Sequence, residues 1–292
     1  MNFAGIISFF ERANGFLMGF VGGMFMWKWE PDGEAKGVIV MVHGALEHHR
    51  RYGWLIEMWR TAGFQVIMGD LPGHGLTTRS RRGHIDSFDE YVTEVKEWVE
   101  TAYQFDLPVF LFGHSMGGLI TIRLLQEEKF DLAGVILSSP CLDLVKKPAK
   151  IINGLTHILN FVTPELRVNP GITVNIATRN KDVLEADLND TLYIDKVTVR
   201  WYRELADSMK LAFEELAKTK DVPMLVMQGG DDKIVNKLAV KEWFNQSPLS
   251  EKRYKEWPKS YHEIFNDPER DEVFEYAKDF VYSQLKAIGY IV

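Results

Sequence analysis

The stretch that most restricts the fold runs from residue 109 to residue 127. Residues 109–112 are apolar and follow Pro108, as a strand would, and residues 116–127 carry helical spacing. Between them stands Gly113-His114-Ser115-Met116-Gly117, a G-x-S-x-G pattern. Turning from strand to helix in so few residues crowds neighbouring side chains, and glycines at both flanks relieve the crowding. The serine is then held at the carboxyl end of a sheet. The Met116 N–H lies at the helix start, where unpaired amides favour negative charge. In this strand–turn–helix context the pattern predicts a nucleophile. A bare G-x-S-x-G is common by chance, and an ordinary turn serine is the alternative.

The rest of the chain supplies a sheet for such a turn. Residues 37–42 (GVIVMV) form a continuous apolar run, as a strand buried on both faces does. Further strands are predicted at 64–68, 133–137, 224–227 and 254–257, and helices at 55–61, 88–102, 116–127 and 271–288. Ser87 and Glu90 have capping-box spacing ahead of the second helix. This alternation predicts an α/β fold with a mostly parallel sheet and helices on both faces. At 292 residues the prior is near two domains of about 150. One large α/β domain with an insertion fits equally well. Residues 141–219 break the rhythm, beginning with helical apolar spacing at Ile151, Ile152, Leu155, Ile158, Leu159 and Val162. They read as a cap inserted between core segments 1–140 and 220–292, its apolar residues either packed on the core or lining a greasy cavity.

Composition excludes several classes. With 46% hydrophobic and 26% charged residues the chain is globular, not disordered. A net charge of −7 disfavours a nucleic-acid partner. Cys141 is the single cysteine, so neither an internal disulfide nor a Cys-rich zinc site forms. The longest apolar run, residues 16–27, is about 12 residues against the ~20 needed to span a bilayer. No positive region precedes it in signal-peptide fashion. The expected location is therefore cytoplasmic. Phe3, Ile6, Ile7 and Phe10 predict a short amphipathic helix over about residues 2–14. It would dock on the fold or make transient contact with a membrane surface, although it lacks a lysine row.

A serine needs a base, and in this fold the order is Ser, then Asp or Glu, then His. Of eight histidines only His262 follows the strand at 224–227, on the loop Pro258-Lys259-Ser260-Tyr261-His262. The acid should follow that strand, where Asp231 and Asp232 are adjacent. Motif spacing favours Asp232, with Asp231 as the alternative. Two N–H donors usually hold the developing oxyanion. Met116 supplies one, and Ala45, in His43-Gly44-Ala45 after the first core strand, is the candidate for the other.

Several motifs in order resemble the monoacylglycerol lipase and lysophospholipase family of the α/β-hydrolase fold. His43-Gly44-Ala45 leading to Glu47-His48 and Arg51-Tyr52 resembles its H-G-x-x-E-H-x-x-R-Y stretch. Asp70 with Gly73-His74-Gly75, Arg82-Gly83-His84 followed by Ser87-Phe88 and Tyr91-Val92, the elbow 113–118, Gln228-Gly229 with Asp232, and Tyr261-His262 also match. Thr77 stands where a serine is frequent and Leu46 where a glycine is frequent. The resemblance implies a triad of Ser115, Asp232 and His262, an oxyanion hole at Ala45 and Met116, no cofactor or metal, and a single-chain lipid ester as substrate. A carboxylesterase or peptidase-like enzyme acting on small non-lipid substrates is the alternative. An inactive binding module and a lipid-surface scaffold acting through the N-terminal helix are rivals of another class.

Three features have plainer readings. Glu47, His48 and His49 suit a hydrogen-bonding network better than a metal, since adjacent histidines make poor ligand geometry. Arg79, Arg81 and Arg82 suit a solvated loop better than a phosphate site. Cys141 suits an inert buried thiol.

Overall fold

The continuous apolar runs become the middle of an eight-stranded sheet. A computed structural model describes residues 16–21, 24–77, 81–147 and 150–291. The chain enters through an antiparallel hairpin, Phe16–Val21 (β1) and Met24–Trp29 (β2). It then alternates through Val38–Val42 (β3), Gly53–Thr61 (α1), Gln65–Gly69 (β4), Asp89–Tyr103 (α2), Val109–His114 (β5), Met116–Glu127 (α3) and Gly134–Ser138 (β6). Next come Lys150–Val162 (α4), Arg167–Val168 (β7), Lys181–Leu188 (α5), Val197–Thr198 (β8) and Val199–Glu214 (α6). Met224–Gly229 (β9), Lys237–Gln246 (α7), Lys252–Trp257 (β10) and Arg270–Ala287 (α8) close the chain.

The strand order is β1-β2-β4-β3-β5-β6-β9-β10, parallel from β4 to β10. Strand alternation divides the core in two. Val38, Val40 and Val42 face one side, with Leu111, Leu137 and the buried residues of α2, α3 and α6. Ile39 and Met41 face the other, with Phe110, Phe112 and the large residues Trp59, Phe274 and Phe280 of α1 and α8. Such two-sided burial is what the near-continuous apolar runs of parallel strands predict. Val42 pairs with Gly113 in register, so the ends of β3 and β5 lie side by side.

Four details differ from the sequence reading. The apolar run at 16–27 is a hairpin on the sheet edge. Helix α7 goes unpredicted, although the Asn236 side chain caps it by accepting from the Leu238 N–H. Strand β10 starts two residues early because its leading Lys252 and Arg253 carry no apolar signal. Between β6 and β9, α4 forms where its spacing predicts a helix, but α5, α6 and the β7–β8 pair are additional. Trp201 of α6 is fully buried and donates its indole N–H to Tyr91 Oη at 2.8 Å, tying this segment to α2. Half of the capping box forms: Glu90 Oε1 accepts from the Asp86 and Ser87 N–H groups at 2.7 and 3.2 Å, while Ser87 Oγ accepts from the Asp89 N–H at 3.3 Å and not from Glu90. The helix expected over 2–14 lies outside the described residues. No helix among the described residues is long and apolar enough to cross a membrane.

Candidate active site

The turn after β5 holds Ser115 at φ 53°, ψ −116°, a left-handed conformation that a non-glycine residue adopts only under strain. The flanking glycines are there because backbones meet. A Cβ on Gly113 would lie 2.5 Å from the Gly117 carbonyl oxygen, and one on Gly117 would run into the Val42 carbonyl oxygen. The elbow is therefore wedged against the end of β3. From there His43-Gly44-Ala45 continues, and a Cβ on Gly44 would lie 3.2 Å from Ser115 Cβ. His43 fixes this loop: its Nδ1 pairs with the Gly44 carbonyl at 2.8 Å and its Nε2 accepts the Leu71 N–H at 3.0 Å. Both predicted oxyanion donors, Ala45 and Met116, thus flank Ser115 on adjoining backbones.

His262 comes from the loop after β10. Its Nε2 lies 2.7 Å from Ser115 Oγ and its Nδ1 2.8 Å from Asp232 Oδ2. Asp232 is held by three donors: Ile234 N–H at 2.8 Å, Val235 N–H at 2.9 Å and Gln228 Nε2 at 2.9 Å. The alternative acid, Asp231, is exposed and pairs with Lys233. Gln228, matched in sequence but given no role there, is a further residue that orients the acid.

The electrostatics suit an imidazole that gains a proton. Burial alone would lower the His262 pKa, but the Asp232 carboxylate, helped by Glu263 and Glu47, outweighs it and raises the pKa above its ordinary value. Burial likewise opposes the Asp232 charge, and His262 with the Val235 and Ile234 amides holds that carboxyl below its usual range. His114, its ring centroid 4.9 Å from that of His262, is pushed down to about 3 by burial and stays neutral.

Beside this line lies a buried cluster that the sequence reading misses. Arg51 Nη1 meets Glu47 Oε1 at 3.1 Å, and Arg51 Nη2 meets Asp187 Oδ2 at 2.5 Å and Glu263 Oε2 at 3.1 Å. One guanidinium thereby joins the loop after β3, helix α5 and the neighbour of His262. Burial raises the Glu47 pKa to about 7, against the opposing pull of Arg51. The available signal was the Glu47–Arg51 spacing of four residues on one turn.

The remaining candidates go elsewhere. Glu47 accepts from Tyr52 Oη at 2.7 Å, His48 Nε2 meets Asp190 Oδ2 at 2.5 Å, and His49 Nδ1 meets Asp70 Oδ1 at 2.9 Å. Each therefore has its own partner in a loop network. Leu46 sits at φ 69°, the left-handed region that explains a frequent glycine there, and its side chain is buried. Thr77 supplies the expected hydroxyl, with Oγ1 donating to the Leu71 carbonyl at 2.9 Å and accepting the His74 N–H at 3.1 Å. Arg81 pairs with Asp86. Arg82 departs from the solvated-loop reading, since its guanidinium donates to the carbonyls of Thr191, Leu192 and Tyr193 and anchors the segment before β8. Arg79 lies outside the described residues. Cys141 is buried with Sγ 3.8 Å from Met209 Sδ, and burial pushes its thiol up to about 12, which keeps it unreactive.

Comparison with known proteins gives the family. A family model described as serine aminopeptidase, S33 matches residues 33–269. The chain is 52% identical over 256 residues to the phospholipase YtpA of Bacillus subtilis (strain 168), covering 87% of this chain and 98% of that protein. It is 29% identical over 248 residues to the monoglyceride lipase of Rattus norvegicus, covering 84% and 81%. The crystal structure of Paleococcus ferrophilus monoacylglycerol lipase superposes with a TM-score of 0.81 at 30% identity, covering 89% of this chain and 99% of that one. The chain belongs to the serine aminopeptidase S33 family of serine hydrolases and has the α/β-hydrolase fold.

Proposed function

We propose that the protein hydrolyses carboxylic esters of single-chain lipids, monoacylglycerols or lysophospholipids, through an acyl-enzyme on Ser115. The observation that carries this reading is the line Ser115 Oγ–His262 Nε2–Asp232, at 2.7 and 2.8 Å. His262 takes the Ser115 proton as Oγ attacks the ester carbonyl. The Ala45 and Met116 amides receive the oxyanion, and imidazolium His262 then protonates the leaving alcohol. Water repeats the steps and releases the fatty acid. Asp232 fixes the imidazole tautomer and stabilises its charge without taking the proton. No step draws on a metal or organic cofactor.

The lipid preference draws on the relatives, which carry the names phospholipase and monoglyceride lipase. It also draws on the insertion, for which we assign residues 141–219 the role of a cap. On α4, Leu155, Ile158, Phe161 and Val162 are exposed, Phe161 by 92%. A contiguous apolar face on a helix favours contact with a lipid surface. We infer a cytoplasmic enzyme that meets its substrate there. Replacing Ile158 and Phe161 by glutamate should lower co-sedimentation with phosphatidylcholine vesicles while leaving hydrolysis of a water-soluble short-chain ester unchanged. Equal sedimentation of variant and parent would remove this surface from the proposal.

The activity itself is tested by fatty-acid release from a long-chain monoacylglycerol and the matching lysophosphatidylcholine, with Ser115→Ala as blank. Release from either supports a lipid esterase. Release from neither, with turnover of a short-chain ester or an aminoacyl anilide, contradicts the lipid reading.

The pH dependence follows from the electrostatics. The base must be neutral to act, and its pKa is raised, so kcat/KM should fall on acidification with an inflection above the ordinary 6.5. Asp232→Asn should move that inflection down. A profile flat from about pH 5 to 8 would exclude His262 as base.

A further inference from the structure

The catalytic residues leave unused a cleft of about 460 Å³ between α5 and the turn leading into α1, within the range of small-ligand sites. Most of its lining residues are polar or charged, although the surface they present is about half apolar. Two arginines, Arg50 and Arg270, border it and make no ion pair among the described residues. The Arg270 guanidinium lies 4.5 Å from the Trp54 ring centroid. Stacking on that face leaves the edge N–H groups free for a planar or tetrahedral oxyanion. The carboxylates nearby are mostly committed, Asp187 to Arg51 and Asp190 to His48 and the Leu192 N–H. Asp182 is the exception and is exposed.

His48 forms part of the cleft wall. It is 2% exposed, its Nε2 is taken by Asp190, and its Nδ1 has no partner. Burial holds this imidazole neutral against the opposing pull of Asp190. With Nε2–H donated to Asp190, Nδ1 is an acceptor without a protein donor, enclosed by its neighbours and closed to the cleft.

We propose that this cleft binds a phosphorylated polyol of the glycerol phosphate kind, its phosphate between Arg50 and Arg270 and its hydroxyls among the amide side chains of Asn180, Asn189 and Asn266 that line the wall. The cleft lies one layer of side chains from the reacting groups. Its wall residues Arg51 and Asn266 both bond Glu263, at 3.1 and 2.8 Å, and Glu263 adjoins His262. The ligand is then either the headgroup of a lysophospholipid substrate, a source that rests on the lipid-ester reading, or free glycerol phosphate.

Calorimetric titration of the full chain with glycerol 3-phosphate, inorganic phosphate and glycerol tests the site. Saturable binding of glycerol 3-phosphate is expected, weakened at least about tenfold in Arg50→Gln/Arg270→Gln and partly kept in Arg50→Lys/Arg270→Lys. No saturation, or equal binding by the glutamine variant at an unchanged melting temperature, overturns the proposal. Kinetics then separate the sources. A selective fall in kcat/KM for lysophosphatidylcholine, with monoacylglycerol turnover intact, assigns the cleft to the lipid headgroup. Lost binding with an unchanged ratio assigns it to the free phosphorylated polyol. Absence of monoacylglycerol and lysophospholipid turnover in the parent would refute the ester reading and leave the binding result standing.

Discussion

Ser115→Ala is expected to lower ester turnover by on the order of 10⁶ while leaving the fold intact. The size of the loss follows from the group acting as a unit. Without Oγ, His262 has no proton to take and the amides of Ala45 and Met116 receive no covalent intermediate. Only substrate binding and the two backbone amides remain, worth about 10³–10⁴ over the uncatalysed reaction. Folding should not suffer, because the substitution removes one hydroxyl and keeps a Cβ at the same strained φ of 53°. Turnover by the purified variant close to that of the parent would place the nucleophile elsewhere.

Arg51→Leu should show the largest loss of stability. Arg51 is 4% exposed at its side chain, and Glu47, Asp187 and Glu263 around it are 5–7% exposed at theirs. Removing the guanidinium leaves three carboxylates buried without a counter-charge, and breaking a buried pair of this kind costs about 3–5 kcal/mol. The pH dependence has a definite sign. Burial already raises the Glu47 and Asp187 pKa values with Arg51 in place; without it they rise further and Glu263 loses the charge that holds it low, so the folded state holds protons that the unfolded state releases. Stability is then retained at acid pH and lost as pH rises. Urea unfolding at pH 5.5 and 8 should show a larger deficit at the higher pH. A variant within about 1 kcal/mol of the parent at both would mean that the cluster is solvated. Since Asp187 sits on α5 and Glu263 beside His262, the same substitution should also loosen the insertion from the catalytic loop.

Legibility in the sequence followed burial and local backbone chemistry. The central strands announced themselves because both faces are covered, leaving runs such as GVIVMV without polar interruption. The elbow was legible because its glycines are forced by backbone contact, and His262 because chain order leaves one histidine after β9. Asp232 and Asp231 were distinguishable only by motif spacing. What separates them in space is the set of Ile234, Val235 and Gln228 donors, which depends on how the turn after β9 folds back. Helix α7 and the start of β10 were missed because they lie toward the sheet edge, where mixed polar residues blur the period. The Arg51 cluster joins residues 47, 187 and 263, a pairing set by tertiary structure alone.

The central claim is that Ser115 is an activated nucleophile, and covalent labelling addresses it most directly. The full chain would be treated with a fluorophosphonate, followed by intact mass and peptide mapping. One adduct per chain is expected, located on Ser115, absent from Ser115→Ala and slowed as pH falls below the His262 pKa. An unlabelled parent protein, or an adduct on any other residue, would contradict the claim.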